Sequence, residues 1–281
     1  PASNCYTDEK SDKTYVDILR KAVSDGISIL GITDHNTVSG YDRLFELKGS
    51  FEAEKKALQP YSANSQEIQK RISDLDSILE LYKKIMIIPG VEITLNPGVH
   101  IIVLANADQK GHLSDILDIV GYDESTRGLD SDFVPNMDVK AFLNISLLKD
   151  KIVFAPHVDS SKGIYNEIHG SFRAEIFRSS VINAISVNSV TQLNKIQELI
   201  KNDPKYRREK IWAYINASDA HKVEDIGSKV SYAALKKLTF DDLVFAINNS
   251  PEYISDVENQ DISVLIDVLN KRQKVINLQD I

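Results

Sequence analysis

The chain has 281 residues, with 33 Lys+Arg against 41 Asp+Glu and a formal net charge of −8. A hydrophobic fraction of 42% with 26% charged residues excludes wholesale disorder, and Cys5, the single cysteine, excludes a disulfide scaffold. The acidic balance argues against broad electrostatic binding to nucleic acid, while leaving room for a small positive site. No apolar run approaches the ~20 residues of a membrane helix. A soluble, cytoplasmic protein with one domain over residues 1–281 is therefore expected.

In chain order, residues 12–25 carry Val16, Leu19 and Ala22 at helical spacing, closed by Gly26, and residues 27–32 form a short β-branched run that reads as a buried strand. Residues 51–84 form a polar helical stretch with Ile68, Ile72, Leu75, Ile78 and Leu79 on one face. It reads as a helical insertion packed by that face. Further strand-like runs lie at 85–88, 99–104, 152–155, 181–187 and 211–215, with helical stretches at 113–120, 139–148 and 190–201 between them. Residues 121–137, rich in Asp, Ser, Gly and Pro, read as a surface loop. The run Lys205-Tyr206-Arg207-Arg208-Glu209-Lys210 reads as a solvated connection. Residues 257–281 read as a closing helix or the start of a linker. Strands alternating with helices predict an α/β fold with a mostly parallel, barrel-like sheet.

In such barrels, loops at the carboxyl ends of the strands converge on one mouth. His35 (Thr33-Asp34-His35-Asn36), Glu92 (Pro89-Gly90-Val91-Glu92-Ile93), His157 (Ala155-Pro156-His157), Asp219 and His221 (Ser218-Asp219-Ala220-His221) each follow a strand-like run, and His100 opens one. Four imidazoles and two carboxylates brought together predict a site for divalent transition metals, with Glu92 able to bridge two ions. His112 and His169 break this positional rule and read as surface residues. Lys162, Arg173 and Arg178, near or after the His157 loop, are candidate phosphate-binding cations. Cys5 is a candidate thiolate ligand.

Taken in order, Ile32-Thr33-Asp34-His35-Asn36-Thr37-Val38, Ile88-Pro89-Gly90-Val91-Glu92-Ile93, Val99-His100-Ile101-Ile102, Ala155-Pro156-His157 and Ala217-Ser218-Asp219-Ala220-His221 resemble signature motifs of the PHP (polymerase and histidinol phosphatase) family. The resemblance covers about residues 1–255. It implies a distorted (β/α)7 TIM-like barrel, two or three divalent ions (Zn, Mn or Fe) and hydrolysis of phosphate esters. By the same resemblance, His35 and His221 would share one ion and Glu92 would bridge two others. His100 and His157 would complete one of that pair, and Asp219 would belong to the other. Asp34 would orient a ligand imidazole or cap the following turn, and counts with the catalytic residues.

The family's first motif, His-x-His, is absent before His35. Pro1-Ala2-Ser3-Asn4-Cys5 nevertheless resembles the segment that directly follows that motif in one branch. The expectation is that the pair and the first strand lie upstream of Pro1, with Cys5 at or beside a further ligand position, and that hydrolysis by the chain as written is impaired by loss of the pair. That branch often stands at the N-terminus of larger proteins, which implies a C-terminal ATPase domain as a partner. The implied substrate is a phosphorylated small molecule, a nucleotide or a nucleic-acid end. The alternative is a non-catalytic regulatory or scaffolding module.

Overall fold

Val16, Leu19 and Ala22 recur on one face of α1 (Asp12–Ser24), and that face is buried; the helix ends at Asp25 before Gly26, whose φ of +73° suits glycine. The computed structural model to which this helix belongs describes residues 2–130 and 133–255. The closing helix or linker expected at 257–281 lies outside the described residues. The chain divides into two compact units, residues 1–151 with 218–228, and residues 152–217 with 229–281.

In the first unit, β1 (Ile29–Ile32) is followed by α2 (Ser39–Leu58), a 3-10 stretch (Gln59–Asn64) and α3 (Gln66–Lys84). The insertion expected at 51–84 is thus two helices, the first starting at Ser39. Pro60 opens the break between them, and the Ser65 hydroxyl accepts from Ile68 N to cap the second. Leu75, Ile78 and Tyr82 of α3 are buried; Ile78 and Tyr82 join Leu19, Leu44 and Leu47 in one apolar core.

The strand read at 85–88 runs much further, as β2 (Met86–Leu95). It pairs in parallel with β1 and antiparallel with β3 (Val99–Leu104), through the turn Asn96-Pro97-Gly98, where Gly98 has φ +122°. This hairpin is the antiparallel exception among the sheet's described pairings, because so short a turn permits no parallel crossover. Glu92 consequently lies inside a strand, not in a loop after one. After α4 (Lys110–Val120), the helix expected over 139–148 shortens to α5 (Val139–Phe142) and a 3-10 turn (Ser146–Leu148). The Asn144 amide donates to Lys140 O at 2.9 Å, a side-chain bond that competes with helix continuation.

In the second unit, β4 (Ile152–Ala155), β5 (Ile182–Ile185) and β6 (Ala213–Tyr214) pair in parallel. α6 (Ile164–Glu167), α7 (Gly170–Arg178) and α8 (Val190–Asn202) lie between these strands in sequence. The small antiparallel pair β7 (Tyr232–Ala233) and β8 (Ile254–Ser255) flanks α9 (Phe240–Asn248) in sequence, and Asn248 of that helix accepts from Asn183 of β5.

The run 205–210 is only partly a solvated connection. The Arg208 guanidinium is inserted into the second unit, donating to the carbonyls of Phe177, Ser179 and Ile182 and lying 4.2 Å from the Trp212 ring. Burial lowers its pKa to about 10, so it stays charged at neutral pH. Arg208→Ala would strand three carbonyls and remove the stacking, a cost of about 3 kcal/mol. A thermal midpoint lower by roughly 6–12 °C is expected by calorimetry, and an unchanged midpoint would refute this anchoring role.

Candidate metal centre

β1 ends at Ile32, but its pairing with β2 resumes one turn later. Glu92 N donates to Asp34 O (3.2 Å) and Asn36 N to Glu92 O (2.8 Å), a bridge that sets His35 beside Glu92. In the β2–β3 hairpin, Thr94 opposes His100 and Glu92 opposes Ile102. With a side-chain period of two, Glu92 and His100 share a face as diagonal neighbours. His100 Nδ1 lies 2.8 Å from Glu92 Oε1, while His35 Nε2 lies 3.7 Å from Glu92 Oε2. The His35 and His100 rings meet edge to face at 4.9 Å. Exposures of 5% for His35, 3% for Glu92 and 2% for His100 make this a buried polar group, stable only if its members satisfy one another or hold a cation.

Asn36, fully buried with φ +54°, organises the surroundings; asparagine tolerates that left-handed conformation. Its amide donates to Thr94 Oγ1 (3.2 Å) and Leu129 O (2.6 Å), its Oδ1 accepts from Thr94 N (2.9 Å), and its carbonyl accepts from Gly128 N (3.2 Å). These bonds draw Gly128 and Leu129 inward, so the irregular stretch expected as a surface loop is anchored to the centre at these residues. Tyr122 in this stretch is buried and donates to Thr94 O. The inward fold delivers Asp130, whose Oδ1 lies 3.4 Å from His35 Nδ1 and 3.3 Å from His100 Nε2. Sequence reasoning missed Asp130 because it follows no strand-like run. Tyr122 and Phe133, aromatic residues inside a polar stretch, were the available signal that the segment packs.

The N-terminal segment is held from three sides. Asp34 Oδ1 accepts from Ala2 N (2.6 Å) and Ser3 N (3.2 Å), Asn4 N donates to Gly128 O (2.8 Å), and Thr7 N donates to His221 O (2.8 Å). Asp34 thus positions the segment carrying Cys5. Gly40 lies directly over the Asp34 carboxylate, leaving no room for a Cβ. One ligand atom from each of Cys5, His35 and His221 lies within 4.8 Å of the others, and the same holds for His35, Glu92 and His100. His35 belongs to both groups. His221 Nδ1 donates to the Asp219 carbonyl (2.9 Å), which makes Nε2 the nitrogen that would face an ion once the ring is neutral. Asp219 itself is exposed, has φ +50°, and keeps its Oδ1 at 3.9 Å from His221 Nδ1.

Charge is strongly coupled here. Burial pushes the Cys5 thiol up, but hydrogen bonds with His221, His35 and Ser3 outweigh it and bring the pKa to about 6. The bond with Cys5 raises His221 to about 9, against its own burial. Burial opposes protonation of His35, yet Cys5, Glu92 and Asp130 together hold its imidazole above the ordinary value.

Of the other predicted residues, His157 lies in the second unit, in the turn after β4. Its N donates to Ser186 Oγ (2.7 Å), and its Nδ1 is 2.8 Å from Ser160 Oγ. Arg173, expected to bind phosphate, is occupied within that unit: Nη1 donates to Tyr165 O (2.9 Å), Nε to Tyr206 Oη (3.2 Å), and the guanidinium covers the Tyr165 ring at 4.8 Å. Lys162 is half-buried beside Gly163 and its backbone N donates to Ser160 Oγ, while Arg178 is exposed at the end of α7.

Separations within 4.8 Å among imidazole nitrogens, a thiolate and carboxylate oxygens suit ligands that each stand about 2.0–2.3 Å from a shared ion. The residues therefore fit divalent metal. Among the described residues, no helix is long and apolar enough to cross a membrane.

No protein-family model and no curated protein matches the chain. Solved structures that resemble it include two of endonuclease Q. The lesion-specific endonuclease PfuEndoQ from Pyrococcus furiosus gives a TM-score of 0.54 at 13% identity, over 88% of this chain and 54% of that one. Endonuclease Q in complex with a 27-mer duplex substrate, with an abasic lesion at the active site, gives 0.54 at 12% identity, over 90% of this chain and 56% of that one. The α/β fold of this chain is thus similar to about half the length of endonuclease Q.

Proposed function

We propose that the chain is a metal-dependent phosphoesterase of the PHP type that hydrolyses phosphodiester bonds in nucleic acid. The observation that carries this reading is a pair of ligand groups sharing His35: the buried His35–Glu92–His100 and the half-buried Cys5–His35–His221. The ordered motifs around these residues support it, as does the fold shared with a protein solved on a lesion-containing DNA duplex. The finer parts of the proposal are the distorted (β/α)7 barrel, a complement of two or three Zn, Mn or Fe ions, and the participation of Asp219 as a further ligand.

When bound, divalent ions supply Lewis acidity, acidifying a water and neutralising phosphoryl charge. The chain's own residues do the rest. Glu92 offers one carboxylate oxygen toward His35 and the other toward His100, the disposition of a bridging ligand. Cys5 contributes negative charge and His221 a nitrogen whose tautomer the Asp219 carbonyl sets. The His35–Glu92–His100 group is walled by β2 and β3, which keeps its dielectric low and its electrostatics strong.

The test combines elemental analysis of the purified chain with hydrolysis of a DNA duplex containing an abasic site and of a generic phosphodiester. Two or three ions per chain are expected, with hydrolysis that a chelator abolishes and Mn2+ or Zn2+ restores. Zero or one ion and no hydrolysis of either substrate would overturn the proposal.

A further inference from the structure

We infer that Asp130 is a shared positioning carboxylate that orients both His35 and His100 toward an ion held beside Glu92; this rests on the metal-site reading above. An imidazole binds an ion through one nitrogen and carries a proton on the other. In both rings the two nitrogens face carboxylates on opposite sides. His35 Nε2 and His100 Nδ1 look toward Glu92, at 3.7 and 2.8 Å. His35 Nδ1 and His100 Nε2 look toward a single oxygen, Asp130 Oδ1, at 3.4 and 3.3 Å. A carboxylate behind a metal-bound imidazole fixes its tautomer and ring orientation and raises its basicity as a ligand. Here one oxygen does this for two rings at once.

Asp130 is held for that task. Its N donates to Asn4 Oδ1 (3.0 Å), and the carbonyl of Leu129 before it accepts from the Asn36 amide (2.6 Å). Asn36 adjoins His35 in sequence and braces Thr94, which opposes His100, so the same residue fixes the rings and the carboxylate behind them. The Asp130 side chain is 17% exposed, little for a carboxylate in a stretch of such polar composition. The two oxygens of Glu92 already address one nitrogen of each ring, which places the ion on that side and leaves Asp130 as the group behind.

The experiment measures Zn2+ affinity of the full chain by chelator competition, and the visible spectrum of the Co2+ form, for wild type, Asp130→Asn and Glu92→Gln. Asp130→Asn is expected to bind Zn2+ about 10–100-fold more weakly. Its Co2+ ligand-field bands should remain at wild-type positions, because the ligand set is unchanged. Glu92→Gln should lose more affinity and shift those bands. If Asp130→Asn fails to fold, Asp130→Ser is read by the same criteria. An Asp130→Asn affinity within threefold of wild type, or Co2+ bands shifted as in Glu92→Gln, overturns the positioning role while leaving the metal site intact. A wild-type chain that binds neither ion overturns the metal-site reading, and this inference with it.

Discussion

His35→Ala is expected to abolish tight metal binding by the first unit, lowering Zn2+ affinity by about a thousandfold. A four-ligand zinc site is worth ~10–16 kcal/mol, or ~3–4 kcal/mol per ligand, and about 4 kcal/mol is a factor of a thousand. His35 is the one residue common to both ligand groups, so its loss reaches further than that of Cys5 or His100. It also removes one of the two imidazoles that lie between Glu92 and Asp130, leaving their carboxylates less well compensated. That loss makes the metal-free variant less stable than wild type. Isothermal titration with Zn2+ would measure the first effect and thermal unfolding the second. His169→Ala, at an exposed position before α7, provides the comparison that should change neither. Wild-type affinity in His35→Ala would remove the basis for a shared ligand.

In the metal-free chain, Cys5 is expected to react with iodoacetamide with a half-maximal rate near pH 6, against 9.0 for an ordinary thiol. A shift of that size changes the thiolate-to-thiol ratio below pH 6 by about a thousandfold. The sign for stability is different, because two groups move in opposite directions. Cys5, with its folded pKa depressed, contributes stability that is present above pH 9.0 and lost as pH falls through about 6. His221, with its folded pKa raised, contributes stability that is present below pH 6.5 and lost as pH rises through about 9. Between about 6.5 and 9 the slopes cancel: folding moves a proton from thiol to imidazole and takes up none from solvent. Reactivity should therefore titrate near pH 6 while the thermal midpoint stays flat across that window. His221→Ala should move the alkylation midpoint upward, and Zn2+ should slow alkylation of the wild-type chain. A half-maximal rate near pH 9 in the wild-type chain would contradict the thiolate assignment.

The residues of the candidate centre differ in how far local sequence could reveal them. His35 and His221 follow β-branched or aromatic runs, and His100 opens one; the chemistry of the side chain and its place relative to a strand were enough to single them out. Glu92 was singled out for the right residue type but in the wrong setting. Its position inside β2 depends on the Asn96-Pro97-Gly98 turn, which folds β3 back and carries His100 to its side. Asp130 was out of reach, because Tyr122 and Phe133 signal that the segment packs but not which of its carboxylates turns inward. Its place comes from Asn36, 94 positions away, whose amide reaches the Leu129 carbonyl.

The same division holds for the scaffold and for the basic side chains. The 3.6-residue spacing of Val16, Leu19 and Ala22 makes α1, and β-branched runs make the strands, because these patterns act within one element. Chain direction in the hairpin, the shortening of the helix at Asn144 and the burial of Arg208 under Trp212 arise from partners distant in space or from single side-chain bonds. Arg173 reads in sequence as a cation available for phosphate, and only packing against Tyr165 and Tyr206 assigns it a structural role. Sequence alone thus determined the element types and the chemical identity of the candidate ligands His35, Glu92, His100 and His221, because side-chain chemistry and periodicity are local. Tertiary structure alone decided that Cys5 meets His221, and that Asp130 stands behind two imidazoles, because burial and hydrogen bonding are settled by residues far apart in the chain.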